Sequence, residues 1–172
     1  MAKLMPSNSL GFLLVDTARL FRQEFERAVV EAGLSLTPGE LRALAYVARY
    51  EGSRQAVLAD RMGVEPMTMS AYLDRLEGRG LVQRTTDRND RRAKVVNTTE
   101  AAVSVFEETK PVATAVYERL VSGFNEQERE IVHDLLTRVR QNLTNEPQTG
   151  AEDPMMPSTR SAMPSAGMYR SA

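Results

Sequence analysis

The sequence predicts a mainly α fold with one small β element, and three observations predict it. Apolar residues recur at steps of three and four across most of residues 9–144. The pattern changes to short β-branched runs only near residues 81–98. Glycines stand just past the ends of the helical stretches, at Gly33, Gly52, Gly63, Gly78 and Gly80. With 172 residues the chain is long enough for one compact domain and a tail.

Residues 1–8 predict a flexible start. From Ser9 to about Ala32, a stripe of Leu10, Leu13, Leu14, Thr17, Leu20, Phe21, Phe25 and Ala28 predicts a long amphipathic helix. In "LTPGELRALAYVARYEG", Thr37 is a good N-cap, Pro38 suits the first helical position and Glu40 completes a capping box. Leu41, Leu44, Ala45, Val47 and Ala48 form the apolar face of that second helix. "SRQAVLADRMG" predicts a short third helix, capped by Ser53, with Val57, Leu58 and Met62 inward. "VEPMTMSAYLDRLEGRG" predicts a fourth, buried through Met69, Tyr72, Leu73 and Leu76.

"LVQRTT" and "AKVVNT" then predict two strands joined by a long charged connection. Thr99 is the expected cap of a fifth helix, about 99–122, in which Pro111 predicts a kink or break. Asn125 and Glu128 make a second capping box before a sixth helix with the stripe Ile131, Val132, Leu135, Leu136, Val139 and Leu143. Residues 145–172 are rich in Pro, Ser, Gly and Ala and predict a disordered tail.

Composition removes several function classes. The chain has no cysteine, which excludes disulfides, zinc–thiolate sites and thiol nucleophiles. The single histidine, His133, lies on an amphipathic stripe and is expected to be structural. Acid pairs such as Glu107–Glu108 and Glu128–Glu130 accompany no nucleophile, metal cluster or phosphate loop, so an enzyme is not expected and no cofactor is. The apolar run Leu10–Val15 is too short for a membrane span, and a cytoplasmic protein without membrane contact is expected.

Net charge is −1, yet the charge is segregated. Between Asp74 and Lys94 seven basic residues face four acidic ones, about +3 for the segment. Short helices joined by tight turns and followed by a charged hairpin have the order of a winged helix-turn-helix. The third and fourth helices are the pair and "MGVEP" the turn, so the fourth helix would enter a DNA major groove with its N-terminal residues first. Pro66, Met67, Thr68, Ser70, Ala71 and Arg75 are its expected DNA-facing residues. The small and hydroxyl side chains among them permit close approach, and methyl groups can meet a thymine methyl. The hairpin would lie over the phosphate backbone and drop an arginine into the minor groove. Its expected DNA-facing residues are Arg84, Arg88, Asn89, Arg91, Arg92 and Lys94. Asp87 and Asp90 make no sense facing DNA; they are expected to hold Arg75, Arg88 or Arg92 in place.

The stretch "LADRMGVEPMTMSAYLDRLEGRGLVQRTTDRNDRRAKVVNTT" resembles the multiple-antibiotic-resistance regulator (MarR) family, particularly its SlyA-like branch. The shared positions are Leu58, Ala59, Met62, Gly63, Leu73, Leu76, Glu77, Gly80, Leu81, Arg84, Asp87, Asp90, Arg91, Arg92, Ala93 and Lys94. The resemblance covers about residues 9–144 and departs at "NTTEAA". It implies a homodimeric, ligand-responsive transcriptional repressor on a pseudo-palindromic operator in double-stranded DNA. Residues of about 37–98 would bind DNA, and helices of about 9–32 and 99–144 would dimerise. A small phenolic or aromatic acid would be the effector; Tyr46, Tyr50 and Arg19 are candidates for its pocket, with no motif to select among them. The absence of cysteine removes the peroxide-sensing subclass. The competing reading is a winged-helix adaptor that binds protein and no specific DNA.

Overall fold

The computed structural model describes residues 9–87 and 90–144. In chain order the elements are α1 (Leu10–Glu31), α2 (Pro38–Arg49), β1 (Ser53–Arg54), α3 (Gln55–Met62), α4 (Pro66–Gly78), β2 (Val82–Thr86), β3 (Lys94–Thr98), α5 (Ala101–Leu120) and α6 (Glu126–Leu143). The fold class is as expected: mainly helical, with one small antiparallel sheet in the order β1–β3–β2. The expected flexible start and disordered tail lie outside the described residues.

Local chemistry sets most boundaries. The Thr37 hydroxyl accepts from the Glu40 N–H and the Glu40 carboxylate accepts from the Thr37 N–H, closing the capping box of α2. Asn125 and Glu128 do the same for α6. Ser9 caps α1 through the Phe12 N–H. Between α3 and α4 the chain reverses at Gly63, whose φ of 67° lies in the left-handed region that a side chain disfavours.

The core gathers at the centre of the helix-turn-helix. Leu41, Leu44 and Val47 of α2 meet Leu58 of α3, Met69, Leu73 and Leu76 of α4, and Val82 and Val96 of the hairpin. Val29 of α1 and Ala102 of α5 join it from outside. Most of α1 contributes little, and α6 buries no residue.

Four local expectations change. Ser53 does not cap α3; it pairs with Val96, and the residue at the cap position is Arg54. A pair of strand residues with no alternation carries no periodic signal, so β1 was invisible in the sequence. Val57 is 42% exposed rather than inward; Ala59 takes its place in the core. Thr99 does not cap α5; its hydroxyl donates to the Gly80 carbonyl at 2.6 Å, which ties the end of the hairpin to its beginning. Pro111 does not break α5, which runs continuously through it.

Candidate nucleic-acid interface

Helix α4 and the hairpin β2–β3 are joined by a tight connection. Gly80, with φ of 70°, lets the chain leave α4, and the Leu81 N–H donates to the Leu76 carbonyl at 2.9 Å. β2 and β3 pair in continuous register from Val82–Thr98 to Thr86–Lys94. Beyond Thr86 the Asp87 N–H donates to the Ala93 carbonyl at 2.9 Å. Recognition helix and wing therefore share one rigid frame.

On α4, Met69, Leu73 and Leu76 are fully buried, which fixes the rotation of the helix. Pro66, Met67 and Thr68 are exposed at its start, and Ser70 and Ala71 are half-buried. Met67 is 80% exposed, unusual for a large apolar side chain. Glu65 at the cap position makes no capping hydrogen bond, so the start of α4 has no side chain folded over it. Such a helix end attracts a phosphate oxygen.

Arg75 is held rather than free. Its Nε donates to Glu40 Oε1, and its guanidinium lies over the Tyr72 ring, 5.4 Å from the centroid. Gly39 makes room for that ring: a Cβ there would sit 2.5 Å from the Tyr72 hydroxyl. Burial of the Glu40 carboxyl raises its pKa. The Thr37 amide, the Arg75 guanidinium and the Thr37 hydroxyl outweigh this and hold it below the usual 4.5. Arg79 donates to the Ser35 carbonyl at 2.7 Å, fastening the other end of α4 to the loop before α2.

The wing cations divide into two groups. Arg84 differs from the expectation of a DNA-facing residue: its side chain is 17% exposed and turns back onto α4. There it donates to Asp74 at 2.6 Å and to Glu77. The Arg84 hydrogen bond holds the Glu77 carboxyl below its usual value. Arg91, Arg92 and Lys94 are exposed, and among the described residues their side chains have no ion-pair partner. Arg88 and Asn89 lie outside the described residues.

Asp87 and Asp90 do not hold Arg75. Their partner is Arg54 of β1, which donates to Asp87 at 2.9 Å and to Asp90 at 3.3 Å. Arg92 contributes its main-chain N–H to Asp90 at 3.1 Å. Sequence reasoning missed Arg54 because its role depends on β1, thirty-three residues from Asp87 in the chain.

Away from this face, α1 and α6 expose Leu10, Leu13, Ile131, Leu135 and Leu136. Leu10, Leu14, Val132, Leu135, Leu136 and Val139 line an apolar groove between the two helices. Tyr46 and Tyr50 stand 6.0 Å apart on α2, and the Arg61 guanidinium lies 4.0 Å from the Tyr50 ring centroid. Arg19, by contrast, is tied on α1 to Asp16 and Gln23. His133 is exposed, 3.6 Å from Asp134. No described helix is long and apolar enough to cross a membrane, and no group of three or more candidate metal ligands occurs among the described residues.

Comparison with known proteins agrees with this geometry. A model of the MarR family matches residues 36–94. The crystal structure of MarR is 24% identical with a TM-score of 0.65, over 83% of this chain and 94% of that one. CouR, a transcriptional repressor solved bound to a 23-mer DNA duplex, is 27% identical with a TM-score of 0.59, over 78% of this chain and 94% of its own. BpsR of Bordetella bronchiseptica, whose DNA binding is regulated by 6-hydroxynicotinic acid, is 21% identical with a TM-score of 0.62, over 81% and 98%.

Proposed function

This chain belongs to the MarR family, and from that premise we propose that it is a sequence-specific DNA-binding transcriptional repressor that acts as a homodimer on a pseudo-palindromic operator. The observation that carries the reading is the pairing, on one frame, of an uncapped helix start with an adjacent wing of exposed cations. Pro66, Met67, Thr68, Ser70 and Ala71 would face the major groove, with Arg75 at its edge in the grip of Glu40. Base-reading bidentate side chains are scarce on α4, so part of the specificity would come from DNA shape, sensed by the wing. Arg91, Arg92 and Lys94 would meet phosphates or the minor groove, with Arg88 and Asn89 at the tip.

Dimerisation is supported by the bare apolar faces of α1 and α6, which water would not leave uncovered at this extent. A twofold protein presents two recognition helices to two half-sites. Release by a small aromatic or phenolic acid is supported by the likeness to BpsR and would act by changing the separation of those helices.

Selection from random duplexes tests the reading against the adaptor alternative. An enriched inverted repeat, its half-sites about one helical turn or a multiple apart, is the expected product. Recovery of no preferred sequence, with the protein folded and dimeric, would leave the adaptor standing.

A further inference from the structure

Arg54 lies far from the wing in sequence and outside the stretch that marks it, yet both wing aspartates face its guanidinium. Nε and Nη2 donate to Asp87 Oδ2 at 3.2 and 2.9 Å, and Nη2 also donates to Asp90 Oδ2 at 3.3 Å. The Asp87 side chain is 15% exposed, so this end of the contact is shielded from water, whereas Arg54 itself is 47% exposed. Asp87 and Asp90 bracket the hairpin loop, and the backbone between them is closed by the Ala93 N–H on the Asp90 carbonyl at 2.9 Å. The main chain of Arg54 is fixed from two directions. It pairs with Val95 of β3, and it stands at the cap position of α3. A single guanidinium thus spans the helix-turn-helix and both ends of the wing loop.

We propose that Arg54 is a positioning residue for DNA binding, which sets the angle of the wing against the recognition helix by bridging Asp87 and Asp90. This rests on the DNA-binding reading above, since the wing's angle matters only if the wing meets DNA. Two physical consequences follow. A wing held in its bound pose loses less freedom on binding than a loose one. Two carboxylates beside a polyanion also repel it, and Arg54 offsets much of that field while keeping the carboxylates where the loop needs them.

The signs of these effects separate positioning from simple charge. Asp87→Asn removes a negative charge next to DNA, so Coulomb's law alone predicts tighter binding; positioning predicts weaker binding. Arg54→Gln removes a cation, and the salt dependence tells whether that cation met a phosphate. The test is fluorescence anisotropy of the full chain on its selected duplex across a range of salt, with Arg91→Ala/Arg92→Ala as reference.

The expected result is a loss of about fivefold in affinity for Arg54→Gln and for Asp87→Asn, the scale of an ion-pair network near the surface. The slope of log affinity against log salt should stay at its wild-type value in both. A slope lowered by about one in Arg54→Gln would make Arg54 a phosphate contact and overturn the proposal. Tighter binding by Asp87→Asn, or unchanged affinity in both variants, would overturn it as well. Asp90→Asn, at the more exposed acid, carries the same sign test if Asp87→Asn fails to fold. Failure of the underlying reading looks different: the Arg91→Ala/Arg92→Ala reference would then bind as the wild type does.

Discussion

Glu40 joins two tasks in one side chain, and the acid stability of the protein should report it. One carboxylate oxygen closes the capping box with Thr37 and the other receives Arg75, so α2 and the recognition helix share an anchor. Glu40 and Glu77 both titrate below their usual 4.5 in the folded chain. They therefore bind fewer protons folded than unfolded near that pH. The stability they contribute is present above about pH 4.5 and is lost as pH falls through their folded values. Glu40→Gln should cost about 1 kcal/mol at pH 7, because Arg75 loses a charge-assisted partner but is itself half-exposed. Urea melts should show that gap closing by about pH 3.5, as the wild-type carboxyl itself protonates; a gap of constant size would contradict the assignment. The capping role of Glu40 was legible from Thr37 and Pro38 beside it. Its pairing with Arg75 was not, because the two meet only once α2 and α4 are packed.

Among the elements, helices with strong local signals matched their sequence signatures and those that depend on distant partners did not. α2 and α6 carry complete capping boxes and start where those predict. α4 is fixed by Met69, Leu73 and Leu76 at helical spacing, which is why its outward residues were readable from sequence. β1 spans only Ser53–Arg54 and exists because β3 runs beside it, so no window of sequence contains the reason for it. The division of the wing arginines has the same origin. Arg84 and Arg91 are equivalent in composition, and only the side of the hairpin on which each emerges sends one to Asp74 and Glu77 and leaves the other exposed. The α2–α4 contact can be probed at Gly39. Alanine there gains about 0.5–1 kcal/mol of helix propensity but drives Tyr72 from its seat, at an overpacking cost of about 1–3 kcal/mol. Gly39→Ala should therefore lower the melting temperature and weaken DNA binding through the displaced Arg75. An unchanged melting temperature would mean that the Tyr72 ring swings aside at no cost.

At the scale of the whole molecule, one chain leaves two faces unfinished. α6 buries no residue, although Ile131, Leu135 and Leu136 form a continuous stripe along it. The long apolar stripes were plain in the sequence; that one copy of the chain leaves them open is visible only in the fold. Leu135→Glu should place a charge in the proposed dimer seam, and sedimentation velocity should then return a monomer with weakened operator binding. A dimer of wild-type strength would put the seam elsewhere. The central claim concerns the other face, where recognition helix and wing meet DNA together. Its most direct test is binding to the DNA upstream of the chain's own gene, titrated against salt, for the wild type and Arg91→Ala/Arg92→Ala. Saturable wild-type binding with a steep negative salt slope is predicted, and removing two phosphate contacts per protomer should flatten that slope by about two units or more while the dimer persists. Equal affinity and equal slope in the two proteins would contradict the account, since the wing would then hold nothing that DNA feels.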